Sequence, residues 1–463
     1  MVLVPFWFYV VLLSLSGLFV LLYLLLPSLR WFFRRKINKL IHQLNESLDI
    51  ELPPFKLTQR QSLIDNLICD HHVLDAAKEW AHEEEETLDE AQRMVHLYAR
   101  EIVPSFNAYF YFKVAHWLAR AISTMLFRVR MGQESEQINQ IDHDAAVIFV
   151  INHRSNLDYV LVSTFVAQRT AVSYAVGEWA RVWPLHSLIR SLGAYFVRRK
   201  SSNQLYRKVL ERYVQMATQA GVTQAIFLEG KLTTSGLLNP PRLGLLDYML
   251  RDYNPEKDKD LVFVPVAINY DRTLEDRSLL RSNQKGVEKQ PMTRVVKKTV
   301  GYVGKVLFMR MIGRWHRFGY ACVNFGEPLS IQEYLKREQI ELEHLSRDER
   351  FNRVEGMAQE LMKRIGGIVP VLPVSLVSKV FLEQEEGSLS LLELKARVFQ
   401  MMTDFQSRGV QLYVPRHDMD YAIQVGLRML TLRRLVVEEE GYYSLNPDET
   451  EILNYYANAL AHY

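Results

Sequence analysis

The chain has 463 residues, 48% of them hydrophobic, and a formal net charge of +3. That length and apolar content exclude a disordered chain and allow more than one structural region around a sizeable core, while a charge so near balance does not announce a nucleic-acid binder. Cys69 and Cys322 match no disulfide framework, metal-ligand spacing or redox motif, which fits a reducing compartment.

The first element is "FWFYVVLLSLSGLFVLLYLLL", residues 6–26, uncharged and framed by Pro5 and Pro27. At about 1.5 Å per residue such a helix spans a hydrocarbon core of roughly 30 Å. Trp31, Phe32 and Phe33 with Arg30, Arg34, Arg35 and Lys36 follow as an aromatic collar and a basic cluster, which predicts a single transmembrane helix with the rest of the chain on the cytoplasmic side. No basic segment precedes the run and no small-residue cleavage site follows it, so it does not read as a signal peptide. Residues 1–35 are therefore the expected anchor and basic flank. Residues 36–131 read as a helical region, ending in "FNAYFYFKVAHWLARAISTMLF", whose apolar residues cover much of a helix surface.

From about residue 145 to 325 the pattern changes. The runs "AVIFVI", "VSYAV", "AYFV", "AIFL", "VFVPVAI" and "YACVNF" alternate with helix-like stretches, which predicts an α/β layer structure. One such helix carries the stripe Leu205, Val209, Leu210, Tyr213, Met216 and Ala217, with Ser201 or Ser202 as its cap and Gly221 as its end. Between residues 294 and 317, seven basic residues and no acidic ones interleave with apolar side chains, a composition that suits either an anionic bilayer surface or a partly buried helix with snorkelling cations. Residues 336–463 read as mainly helical, and "RRLVVEEEGYYSL" as a hairpin. Two helices before such a hairpin resemble a winged DNA reader, but Glu438, Glu439 and Glu440 surround the proposed wing, where phosphate contacts need a basic face. No nucleic-acid partner is expected.

The stretch "FVINHRSNLDYVL" sets His153 in the turn after "AVIFVI" and Asp158 in the first turn of the next helix, with Ser155 or Asn156 as its cap. Folding the turn back brings the carboxylate to one imidazole nitrogen, leaving the other to accept a proton. The same spacing also fits an acidic residue that only complements the helix dipole.

"NHRSNLD" resembles the H-x4-D signature of the glycerolipid acyltransferases. "GAYFVRR" (193–199), "FLEGKLTTSGLLNPPRLGLL" (227–246) and "VFVPVAINYDR" (262–272) resemble that family's next three blocks in order. "VNFGEPLSI" is similar to the strand and turn that close its domain, and "ILNYYANALAH" to the C-terminal region of the bacterial membrane-bound glycerol-3-phosphate acyltransferases. The resemblance implies a central mixed sheet flanked by helices as the catalytic domain (132–335), between helical N- and C-terminal regions (36–131 and 336–463). It implies acyl transfer from acyl-CoA or acyl carrier protein to the sn-1 hydroxyl of glycerol 3-phosphate, with no metal or bound cofactor, at an inner bacterial membrane whose anionic lipids the chain contacts. A 1-acylglycerol phosphate or dihydroxyacetone phosphate acceptor stays open, as does a membrane-tethered lipid-binding or regulatory protein. Carried over by residue, His153 is the general base and Asp158 its orienting partner; Arg198, with Arg199 beside it, faces the acceptor phosphate; Glu229 and Gly230 line the acceptor site; and Pro265, ahead of Tyr270, lines the thioester side. The third block departs from the family's E-G-x-R-S-R, because Leu232 stands where its first arginine belongs. Lys231 and Arg242 are the cations left to take that arginine's place, with Thr233 and Thr234 as hydroxyl donors.

Overall fold

The computed structural model describes residues 52–167, 169–177, 185–198, 203–283, 317–341, 345–384 and 387–463. All six apolar runs expected as strands form one sheet: β2 (Ala146–Ile151), β3 (Ser173–Gly177), β4 (Tyr195–Val197), β5 (Gln224–Phe227), β6 (Leu261–Tyr270) and β7 (Tyr320–Phe325). Two further strands join it, β1 (Arg128–Glu134) and the short β8 (Leu329–Ser330). The order is β1-β7-β6-β2-β5-β3-β4, with β8 also on β6. From β6 to β4 the strands are parallel, while β7 and β8 run antiparallel to β6. The sheet is mixed, as the sequence implies.

Alternation along β2 sorts the layers. Ala146, Ile148 and Val150 face a core shared with helices Arg60–Ile68, His71–Glu83, Leu88–Ile102, Gln204–Gln219, Gly244–Leu250 and Arg347–Gly366, whereas Val147, Phe149 and Ile151 face helices His116–Leu126 and Asp158–Val166. Burial on both faces is why these strands read as continuous apolar runs. The expected boundary between residues 131 and 132 falls inside β1. "RVRMGQE" alternates charged residues with a glycine because it is an edge strand, paired only with β7.

Pro265 lies inside a central strand, paired in register with Val150. The strand tolerates it because its antiparallel neighbour changes there: Phe263 pairs with β8 and Val266 with β7, so the missing N–H falls between two ladders. The helix Gln204–Gln219 is capped by Asn203, whose side chain accepts from Tyr206 N at 2.8 Å; Ser201 and Ser202 lie outside the described residues. Also outside them are the expected span 6–26, Arg199 and all of the basic stretch except Arg317. Among the described residues no helix is long and apolar enough to cross a membrane.

The C-terminal residues pack onto the sheet. Helix Pro373–Glu383 is enclosed by helices Leu391–Ser407, Met419–Leu432 and Thr450–Ala457, with the expected hairpin, Val436–Glu439 and Tyr442–Leu445, beside them. Its N-terminus is met by Asp271, just past β6, whose carboxylate accepts from Val374 N at 3.1 Å and Tyr320 N at 2.7 Å. Burial pushes that carboxyl up to about 7, although both backbone bonds and Arg128 oppose the shift. The folded form then holds a proton that the unfolded chain, with an aspartate near 3.9, releases. Stability from this group is therefore complete below about pH 4 and lost as pH rises to about 7. We expect a higher melting temperature at about pH 5 than at about pH 8, with a smaller difference in Asp271→Asn; because Glu229 and Glu275 shift in the same direction, the variant isolates Asp271. An unchanged difference would contradict the assignment.

Candidate active site

The site is built where β2 ends. Asn152 extends the sheet with its side chain: its amide donates to Ile268 O at 3.0 Å and accepts from Ile268 N at 2.7 Å, so the chain leaves the strand in a fixed direction. His153 comes next, 2% exposed, with Nδ1 3.0 Å from Asp158 Oδ2. The same oxygen accepts from Arg154 N at 2.8 Å and Ser155 N at 3.0 Å, and Oδ1 accepts from the Tyr270 hydroxyl at 2.7 Å. A carboxylate so placed takes the Nδ1 proton and leaves Nε2 as the acceptor. Among the described residues Nε2 has no hydrogen-bond partner. The imidazole lies against Phe227, centroids 4.1 Å apart, with Tyr159 edge-on at 5.9 Å, so the ring is fixed by packing as well as by its bond.

Asp158 opens its helix, and neither Ser155 nor Asn156 is the expected cap; the residue before the helix is Leu157, which makes no side-chain cap. Ser155 and Asn156 are turned to Glu275: Ser155 Oγ donates at 2.8 Å, and Asn156 N and Nδ2 donate at 3.2 Å. Burial pushes the Glu275 carboxyl up.

The third block holds the backbone of His153. Glu229, 1% exposed, accepts from His153 N at 2.8 Å on one oxygen, and from Asn239 N at 2.8 Å and Asn239 Nδ2 at 2.7 Å on the other. Thr233 N donates to His153 O at 2.9 Å. Glu229 thus supports the histidine backbone, with both oxygens engaged; burial pushes its carboxyl up against those bonds. Thr233 Oγ1 is likewise spent within the loop, donating to Leu237 O at 2.6 Å. Gly230 has φ +67°, and a Cβ there would meet Arg242 Cγ at 2.8 Å: the turn leaves room for the Arg242 stem, whose backbone N donates to Leu228 O at 2.7 Å. Lys231 and Arg242 are exposed on this loop, and among the described residues neither has an ion-pair partner.

The second-block arginine is elsewhere. Arg198 follows β4, with β5 and β3 between it and β2, about 14 Å across three strand spacings. Its guanidinium is held by Glu101 in a two-point pair, Nε at 2.9 Å and Nη2 at 2.6 Å, between the Tyr98 and Tyr206 rings. The expected open phosphate ligand is therefore already paired in this structure.

Glu275 was marked by no local pattern; Arg154 and Asn239 lie inside the matched blocks without a role assigned to them, and Tyr270 was named only beside Pro265 on the thioester side. Arg154 is 2% exposed and donates to Gly236 O at 3.1 Å. The C-terminal helix closes over this loop: Asn458 Nδ2 donates to Ser235 O at 2.8 Å, and Tyr456 with Arg433 binds Asp276, next to Glu275, at 2.5 Å. These contacts span more than 150 positions, so no spacing rule finds them.

Residues 128–269 match the Acyltransferase family, and residues 307–463 match the family described as glycerol-3-phosphate acyltransferase C-terminal region. The chain is similar to curated proteins called glycerol-3-phosphate acyltransferase. That of Aeromonas hydrophila is 26% identical over 422 residues, 88% of this chain and 50% of the relative; that of Pseudomonas aeruginosa is 25% identical over 367 residues, 77% and 42%. The chain spans about half the length of the curated relatives it matches. A solved 1-acyl-sn-glycerophosphate (LPA) acyltransferase from Thermotoga maritima is 17% identical over 54% of this chain and 78% of its own, with a TM-score of 0.32, too loose a likeness to bear on the site. The chain thus carries an acyltransferase region that contains the His153 loop and, packed over that loop, a region that matches the C-terminal part of glycerol-3-phosphate acyltransferases.

Proposed function

We propose that this chain transfers a fatty acyl group from acyl-CoA or acyl carrier protein to the sn-1 hydroxyl of glycerol 3-phosphate. The observation that carries the reading is the buried His153–Asp158 pair, with Asp158 saturated by Tyr270 and two backbone N–H groups. His153 Nε2 takes the hydroxyl proton as the alkoxide oxygen attacks the thioester carbonyl. The tetrahedral intermediate then collapses: the C–O ester bond stays, the C–S bond breaks, and the leaving thiolate takes the proton back from the imidazolium. Asp158 stabilises that imidazolium. No covalent acyl-enzyme is needed.

Lys231 and Arg242 receive the acceptor phosphate in this reading. They adjoin the Glu229 support of His153 and carry no competing carboxylate, whereas Arg198 is bound by Glu101. A cavity of about 670 Å³ on the Phe149 face of the sheet, lined in part by Val147, Phe165, Val166 and Phe325, supports the lipophilic half of the reaction. Residues 6–26 form the membrane anchor in the same reading, with the site on the cytoplasmic face of a bacterial inner membrane.

The test is thioester consumption by the detergent-purified full chain with glycerol 3-phosphate, 1-acylglycerol 3-phosphate and dihydroxyacetone phosphate. Turnover with glycerol 3-phosphate supports the assignment; turnover with another acceptor alone moves it, and none sinks it. Lys231→Gln with Arg242→Gln is expected to raise the acceptor KM about tenfold or more with a smaller change in kcat. Arg198→Gln is expected to lower the melting temperature and leave that KM within about threefold, because it breaks a partly buried ion pair. The reverse pattern would return the phosphate to Arg198.

A further inference from the structure

A second group of cations lies away from the His153 loop. An open cleft of about 850 Å³ separates the β1–β7 edge of the sheet from residues 406–421, and Arg128, Arg130, Arg317, Arg416 and His417 line it. No aspartate or glutamate is among its described lining residues. Among the described residues none of the four arginines has a carboxylate within ion-pair distance; neutral groups hold three of them. Arg128 Nη1 donates to the hydroxyls of Tyr320 at 3.3 Å and Tyr421 at 3.1 Å. Arg130 donates to the Tyr413 hydroxyl at 3.1 Å and to Val129 O at 2.9 Å, and Arg416 lies 4.3 Å over the Tyr421 ring.

Backbone geometry adds an independent observation. Arg416 and His417 are consecutive non-glycine residues at φ +61° and +56°, a conformation that costs about 1 kcal/mol or more at each. The fold accepts that cost where it brings a guanidinium and an imidazole into the cleft wall. Gathered positive charges with no carboxylate lining their cleft repel one another, and more strongly in a partly enclosed site than in water. Guanidinium planes fixed in advance suit the paired oxygens of a phosphate.

We propose that this cleft binds a phosphorylated ligand at a site separate from the His153 loop. By sheet order Arg128 lies three strands from β2, about 14 Å, and at the same end of the sheet, since it pairs with Tyr320 where β6 ends against β7. Two sources offer this chemistry: the phosphates of a nucleotide-bearing thioester donor and the phosphate head group of a lipid. The assignment does not rest on acyl transfer, because it is read by binding without turnover.

The experiment is calorimetric titration of the full chain in detergent, carrying His153→Ala, with inorganic pyrophosphate as the probe. Arg130→Gln with Arg416→Gln is expected to weaken binding at least tenfold, and added salt is expected to weaken it further. Arg317→Gln alone, at an exposed residue with no partner among the described residues, is expected to weaken it several-fold without lowering the melting temperature, which keeps the test open if the double variant folds poorly. Displacement of pyrophosphate by coenzyme A assigns the cleft to a nucleotide phosphate; displacement by dihexanoyl phosphatidic acid assigns it to a lipid head group. Unchanged binding in both cleft variants, no binding in the parent, or displacement by neither compound overturns the proposal.

Discussion

His153→Ala is expected to lower kcat for acyl transfer by about 10²- to 10⁴-fold, the usual contribution of a positioned general base, with the circular dichroism spectrum unchanged. Asp158→Asn is expected to cost a comparable factor for a different reason. The Asp158 carboxylate receives three N–H or O–H donors besides the His153 ring. An asparagine can turn its NH2 group to the Tyr270 hydroxyl, which accepts, and keep its one oxygen on His153, Arg154 N and Ser155 N. What it loses is the negative charge, so the imidazolium that forms during proton transfer is no longer stabilised. kcat falls while the acceptor KM stays near that of the parent. Tyr270→Phe removes one donor only and is expected to cost about tenfold. Equal activity in His153→Ala and parent would end the dyad mechanism.

The second large effect is structural. Gly236 has φ +83°, and a Cβ there would come within 1.9 Å of Tyr455 O and 2.8 Å of Tyr455 C. Those are backbone atoms of the C-terminal helix and cannot turn aside as a side chain does. Gly236→Ala therefore adds a steric collision to the left-handed backbone strain, and a loss of about 3 kcal/mol or more is expected. Gly409 provides the control, with φ +76° and nothing within 4 Å of the added Cβ; Gly409→Ala bears the strain alone, about 1 kcal/mol. Thermal unfolding compares the two, and limited proteolysis of residues 450–463 reports whether the helix lifts off. Equal losses at both glycines would mean that the helix does not dock on this loop as described.

Why some of this was legible and some was not follows from how far each constraint reaches along the chain. The runs "AVIFVI" and "VFVPVAI" could be read because strands buried on both faces have little freedom of composition. β1 could not, because an edge strand beside a cationic cleft has polar residues on its open side. His153 and Asp158 are five positions apart, so one turn of chain fixes their meeting. Glu229 was found by its block, but its support of His153 was not: nothing local shows that its oxygens accept from His153 and Asn239. Arg198 was read as open because its partner Glu101 lies 97 positions earlier on a helix whose docking the block does not encode. How a central strand accommodates Pro265 could not be read, because the strand's change of antiparallel neighbour exists only in the assembled sheet. Glu275 had no signal at all, and Tyr455 stood inside the C-terminal block with nothing to show that it meets the histidine loop.

The contact between Arg154 and Tyr455 joins residues 301 positions apart, and that separation sets an order of events during synthesis. At about 5–20 residues per second, a ribosome that has just made the histidine loop needs about 15 to 60 seconds more to produce the helix that covers it. Until then the loop around Gly236 has no lid and Arg154 no enclosure, although the last strand of the sheet, Leu329–Ser330, is made before that helix. A message cut short in the last part of the coding sequence is therefore expected to yield a sheet with its His153–Asp158 pair present and its cover missing.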